Sequence, residues 1–297
     1  MTGISRSQLV PRAAADDLNL GCRLARDRLL GRLPALATAV ALVPLFSVLY
    51  CVVIRGFAAL NWNLITRLPG AITQPGGGLA NGIVGSLIVT GVAVAAAVPV
   101  GVITGVYLAE YGRGSLGDAI RFAAEVLSGV PSIAIGLFVY NLVVIKMGRF
   151  SALAGATALA IIMLPVVART TEEMLRVVPA SVREAGLALG IPPWKVIMRI
   201  VLPAARTGIL TGVMLGVARV AGETAPLLFT ALNNNFWSVA LDQPIATLPV
   251  QIFTLALTPY PHAQTRAWAG AALLISLVLV LNIVARLVLG RERGSPQ

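Results

Sequence analysis

Arg219 and Glu223 are the residues best placed to act on a ligand, because both fall inside the apolar run Thr207 to Leu232. A guanidinium near the middle of a lipid-spanning helix costs about 2.5 to 3.5 kcal/mol, so Arg219 must face protein, a counter-charge or a water-filled path. Four residues apart on a helix, the two side chains share a face and could neutralise one another. Alternatively, the planar fork of Arg219 holds an oxyanion through paired N–H donors, a use that an inert pair would not need. Spacing alone leaves both readings open. Bond-making chemistry fits less well: His262, the single histidine, has no carboxylate partner in sequence reach, and no nucleophile and base constellation is evident. Cys22 and Cys51 match no metal-ligand spacing. A G-x-x-x-x-G-K-[ST] loop is also missing, so no cofactor is expected in this chain.

The elements that position Arg219 must be membrane helices. Of 297 residues, 57% are apolar and only 12% are charged, and the mean hydropathy is +0.86. A soluble domain carries about 25% charged residues, so this chain cannot cover a water-facing surface. The expected fold is all-α, a polytopic membrane protein with six transmembrane helices. A span needs about 20 apolar residues, which places the six at roughly Leu33 to Ile54, Gly82 to Leu108, Phe122 to Ile145, Ala152 to Ala168, Thr207 to Leu232 and Ala267 to Leu289. The run Ile245 to Leu257, fenced by Pro244, Pro249 and Pro259, is too short and reads as an interfacial or re-entrant piece.

The formal charge of +11 would suggest nucleic acid if the cations formed one patch. Instead they flank the apolar runs, so no nucleic-acid partner is expected. With the N-terminus inside, seventeen Lys and Arg fall on the cytoplasmic side and five on the other. Both termini are therefore expected in the cytoplasm. The chain divides into a tail over 1–32, a transmembrane domain over 33–290 with a cytoplasmic loop at 169–206, and a tail over 291–297. Within that loop, Ser181 and Glu184 have the spacing of a capping box, Gly190 suits the left-handed end of a helix, and Pro192 and Pro193 permit a second start. A short helix from Val182 to Leu189 follows. It reads either as a unit projecting into the cytoplasm or as a loop lying on the membrane.

Glu184-Ala185-Gly186, three residues, Gly190, nine residues, Ile200, one residue and Leu202-Pro203 together resemble the EAA loop of ABC importer permeases. One position departs: Gly186 stands where a second Ala is usual. Ala218-Arg219-Val220-Ala221-Gly222-Glu223-Thr224-Ala225-Pro226-Leu227 resembles the A-R-x-x-G-E-T-A-P-L segment of the phosphate-specific transport permeases. Gly129-Val130-Pro131-Ser132-Ile133 with Gly136-Leu137-Phe138 is similar to that family's third-span pattern, and Leu248-Pro249-Val250-Gln251-Ile252-Phe253 to an outer loop of its PstA-type subunit.

The resemblance implies a type I ABC importer transmembrane domain in the bacterial inner membrane. It implies that Glu184, Ala185, Gly186, Gly190, Ile200, Leu202 and Pro203 couple to a separate ATPase dimer of the PstB kind, which binds ATP and Mg. It further implies a second, PstC-like permease, an external phosphate-binding protein of the PstS kind, and a part for Arg219 and Glu223 in phosphate passage. A permease for sulfate or molybdate would share the coupling loop but not the Arg219 to Pro226 segment. An ATP-independent transporter or channel would call for inverted internal repeats, which the chain does not display.

Overall fold

Long aliphatic runs with few charges satisfy their backbone groups internally, and the computed structural model forms helices from them throughout. It describes the backbone of residues 11–290 and the side chains of residues 31–283. The tail expectations for residues 1–10 and 291–297 lie outside the described residues. Five helices are long and apolar enough to cross a membrane, or six if one bent pair counts as a single span.

The chain forms two units, the first ending at Ile54. That unit holds helix α1, Pro11–Cys51, which runs into the π-helical turn Val52–Phe57. The expected first span is therefore part of a longer helix. The second unit, from Arg55 onward, contains the short α2, Trp62–Thr66; α3, Ala80–Glu110; α4, Ser115–Gly129; and α5, Ser132–Met147. It continues through α6, Ala152–Val177; α7, Ala180–Ala188; α8, Pro193–Ala221; α9, Ala225–Leu228; α10, Leu248–Ala256; and α11, Pro261–Gly290.

Helix α6 is the hub. Of its apolar window 61% is buried, against 28% for α3 and for α11. Small residues let its neighbours approach, as lipid-embedded helices require. On α3, a Cβ at Gly101 would fall 2.8 Å from Val167, and one at Gly105 would fall 2.8 Å from Thr171 Cγ2. On α8, Gly208, Gly212 and Gly216 recur every four residues and form one stripe against α6. A Cβ at these positions would lie 2.7 Å from Met174 Cγ, 2.6 Å from Thr170 Cβ and 3.4 Å from Met163 Cγ. The pairings show that α6 and α8 run antiparallel.

Two expected spans differ in the structure. Phe122 to Ile145 is not one straight helix: α4 and α5 meet at Val130-Pro131 with a bend of 103°. Proline has no N–H to continue the ladder and disfavours a helical residue before it, and Val130 is extended there. The fifth span also ends early, at Ala221 rather than Leu232. Pro226 then starts the separate α9 as its second residue. The short run around Leu248 forms the nine-residue α10, too short to span, as expected.

At the end of the unit away from α7, a buried polar network joins α10 to α3. Asn81 Nδ2 donates to Asn234 O at 2.6 Å, Gln251 Nε2 donates to Asn81 Oδ1 at 3.0 Å, and the Leu248 amide donates to Ser86 Oγ at 2.8 Å. Ser151 caps α6 at the same end, its Oγ accepting from the Ala154 amide at 3.1 Å.

Candidate functional site

Arg219 lies in the last turn of α8, and Glu223 lies just beyond the Gly222 cap. They do not share a helix face, because the helix has ended between them. The mutual-neutralisation reading therefore loses its geometry, and among the described residues the two form no ion pair. Arg219 is exposed on the unit's surface and Glu223 is half-buried. The stripe on α8 fixes the depth. Gly216 meets Met163, which lies near the middle of the 26-residue α6. Arg219 follows Gly216 by one turn, so its charge stands near the level of the middle of α6, exposed on the unit's surface rather than turned into its core.

The segments around it pack on one another. Gly136 of α5 lies under α9, where a Cβ would fall 2.6 Å from Pro226 Cα. Leu227 and Ala231 press on Gly155 of α6, within 3.1 and 3.0 Å of a Cβ built there. The Gly129 to Phe138 segment and the Arg219 to Leu227 segment, far apart in sequence, thus form one joint between two interrupted helices. Broken helices at this depth are tolerated only where protein or a watery cavity receives their free backbone groups.

The second site is the loop from α6 to α8. Helix α7 covers Ala180–Ala188 and begins at Pro179, with no side-chain cap. The expected Ser181–Glu184 capping box is not formed, because the N-cap falls at Pro179, two residues before Ser181. Gly190 has φ of 74°, as its position demands. Glu184 and Ala185 are exposed, and so are Leu187, Leu189, Trp194 and Met198. Beneath them Gly186 is buried against the next turn, with Val196 Cγ2 3.0 Å and Ile200 Cδ1 3.2 Å from where a Cβ would sit. The departure from Ala is thus a close contact between α7 and the start of α8. Leu202 is half-buried, and Pro203 is exposed at the second position after the π-helical turn Ile197–Val201.

The model of the binding-protein-dependent transport system inner membrane components matches residues 97–294, a range holding both sites. The chain belongs to this family. Among similar curated proteins is the phosphate transport system permease protein PstA of Yersinia pestis, 48% identical, with 84% of this chain and 85% of that one aligned. The PstA of Haemophilus influenzae is 46% identical over 89% of this chain and 94% of its own length. The chain groups with these PstA permeases. Solved structures share the fold at lower identity. A bacterial alginate ABC transporter aligns with a TM-score of 0.63 at 12% identity, covering 93% of this chain and 98% of that one. The MetNI methionine ABC transporter in an inward-facing form aligns at 0.59 and 18%, covering 71% and 94%.

Sequence reasoning did not single out the charged residues that hold this loop. Arg183, on α7, reaches Glu110 at the end of α3: Nη2 lies 2.8 Å and Nε 3.1 Å from Oε1. The same guanidinium donates to the carbonyls of Leu175 and Val178, both at 2.7 Å, where α6 ends. A second fork, Arg121 of α4, donates to Glu172 Oε1 at 2.8 Å and to the carbonyls of Leu108 and Gly112 at 2.9 and 3.0 Å. Arg176 closes on the same Glu172 oxygen at 2.6 Å. Two guanidiniums therefore bind the ends of α3 and α6 to α7 and α4. The spacings of Glu172 with Arg176 and of Asp118 with Arg121 were local signals, whereas Arg183 and Glu110 are 73 residues apart.

Proposed function

We propose that the chain is the membrane-spanning permease subunit of an ATP-driven phosphate importer. The observation that carries this reading is the guanidinium of Arg219, level with the middle of α6, without an ion pair among the described residues and exposed on the unit's surface. An unpaired cation there is too costly to face lipid, so its surroundings are a second permease and the path between the two. An anionic cargo supplies the missing counter-charge as it passes, and identity near half to PstA proteins of known name selects phosphate among oxyanions. Glu223, half-buried one turn on, would repel phosphate, so further cations come from the partner permease.

The excess of Lys and Arg around the α7 loop supports a cytoplasmic position for that loop and for both termini, in the bacterial inner membrane. Helix α7 and the exposed apolar side chains beside it dock in a separate ATPase, which binds ATP and Mg. ATP closure moves α7, and the Arg183–Glu110 contact passes that movement to α3 and α6. An external phosphate-binding protein delivers the cargo to the opposite side. The test is uptake of labelled phosphate by proteoliposomes holding the whole assembly. Uptake should require ATP and survive excess sulfate. Sulfate winning the competition would assign the chain to another oxyanion, and uptake without the ATPase would remove the importer reading altogether.

A further inference from the structure

Arg266, in the second turn of α11, is only 7% exposed, yet no carboxylate among the described residues pairs with it. Its Nε finds no acceptor, and Nη2 reaches only the Ala71 carbonyl, at 3.4 Å, beyond the usual hydrogen-bond range. A buried charge left in this condition is costly and calls for a counter-ion. The guanidinium is not packed in apolar side chains alone. It forms part of the wall of a cavity of about 350 Å³ that Asn61, Gly76, Gly77, His262 and Thr265 also line, and no acidic side chain does. The cavity lies at the end of the unit away from α7, beside the start of α3.

The rest of that wall is rich in free donors. Asn61 spends its Oδ1 on the Leu64 amide at 2.8 Å, and its amide N–H₂ meets no acceptor among the described residues. Gly76 and Gly77, at φ of 107° and 83°, hold amides that meet no backbone acceptor among the described residues. A Cβ at Gly77 would lie 2.8 Å from Gly70 Cα and 3.0 Å from Arg266 Nη1, so the missing side chain lets the strap close on Gly70 with the guanidinium beside it. His262 ties the strap down, its Nε2 sitting 2.7 Å from the Ile72 carbonyl. The carbonyl can only accept, so Nε2 is the donor.

We infer that this cavity is an anion site, with Arg266 as its charged ligand and a tetrahedral phosphate oxyanion as its occupant. Guanidinium and amide donors together suit that shape, since bidentate N–H pairs match two oxygens on one centre. The choice of phosphate rests on the proposed function; the need for an oxyanion does not. On the side away from the coupling loop, such a site is a first station for cargo before the Arg219 path. A lipid phosphate would satisfy the same donors, and the test separates the two sources.

The assembled transporter is prepared with Cys22→Ser and Cys51→Ser, and with Thr265→Cys as a reporter at the cavity wall. Labelling of that thiol by a membrane-impermeant maleimide is timed in lipid nanodiscs with and without inorganic phosphate. At a phosphate concentration ten times Kd, labelling should slow by about tenfold, since only about one site in eleven stays free. Arg266→Gln should abolish the protection, Arg266→Lys should retain part of it, and Arg55→Gln, outside the cavity, should leave it intact. If the thiol is already shielded before phosphate is added, and becomes reactive after lipid is stripped by detergent, the phosphate group is a lipid's. Labelling indifferent both to phosphate and to delipidation overturns the site, and it does so even where Arg266→Gln fails to assemble. Phosphate uptake by the same preparation reports on the transport reading separately.

Discussion

Arg183→Met tests whether the α7 loop is mechanically tied to the membrane helices. The Arg183 and Glu110 side chains are 24% and 12% exposed, so the pair is largely desolvated. Removing one partner of a buried pair costs about 3 to 5 kcal/mol, because the other charge is left stranded. The two carbonyl bonds would add about 1.5 to 3 kcal/mol each if fully lost, but helix-end carbonyls can turn to water, and Glu110 at a helix end can do the same. About 3 kcal/mol is therefore a fair figure for the local contact, equivalent to about a 150-fold loss in the population with α7 fastened to α3 and α6. The ATPase should still bind, since Glu184, Leu187 and Leu189 are untouched. In proteoliposomes ATP hydrolysis should then continue while phosphate uptake falls at least tenfold, by the reasoning that about 1.4 kcal/mol of coupling is worth that much. Arg183→Lys keeps the charge without the fork and should recover part of the uptake. A double-mutant cycle with Glu110→Gln should give a coupling energy of about 1 to 3 kcal/mol. Uptake at the parental rate in Arg183→Met, or single effects that simply add, would refute the clamp.

Arg219→Ala should reduce phosphate uptake by about one to two orders of magnitude, as expected for loss of a charge-assisted contact of about 1.5 to 3 kcal/mol in the path, while thermal unfolding of the assembly stays unchanged because the side chain is exposed in its own chain. Arg219→Lys should fall between. Gly212→Ala should lower the unfolding temperature, since the added Cβ meets Thr170 Cβ at 2.6 Å and overpacking costs about 1 to 3 kcal/mol; Gly91→Ala, where nothing lies within 4 Å, should not. Gln251→Leu removes one of two donors to Asn81 Oδ1, which keeps the Gly82 amide at 2.9 Å, and also removes the buried, unpartnered Gln251 Oε1, so it should shift stability by no more than about 1 kcal/mol in the same measurement.

Helix positions were legible because the lipid criterion is one of length and polarity, and both are read directly from Leu, Val, Ala and Ile runs. Helix ends were less so. The apolar run through Leu232 does not distinguish one helix from a helix, a corner and a second short helix, and Glu223 was placed on the wrong side of that corner. Pro226 was a visible signal, since it cannot continue a helix from the residues before it. The break at Val130-Pro131 carried the same mark. Ser181 and Glu184 failed for the opposite reason: the pattern was correct but Pro179 took the helix start. Coupling residues such as Glu184 were readable as a motif with fixed spacing. The Arg183–Glu110 contact was not, because no pattern within either segment records what the fold brings beside it.

Depth and exposure together turn Arg219 from a candidate into an argument about assembly. An arginine buried in its own chain would need a partner there, and none is formed among the described residues. An arginine exposed at a helix end near the membrane surface would snorkel and need no partner. Arg219 satisfies neither condition: its helix stops within the same turn, at Ala221, against a joint of Gly136, Pro226 and Leu227 that anchors the corner level with the middle of α6. The close contact of Gly136 with Pro226 leaves little room for the corner to slide, so the charge cannot be carried to water by moving the helix. The cost must be met from outside this chain, by a facing subunit, by water in a shared path and by the anion in transit. Cross-linking from Ala218→Cys, one residue away and half-buried, should therefore capture the second permease and not lipid. Capture of lipid alone would mean that the charge stands in hydrocarbon, a state the energetics of a central arginine forbid.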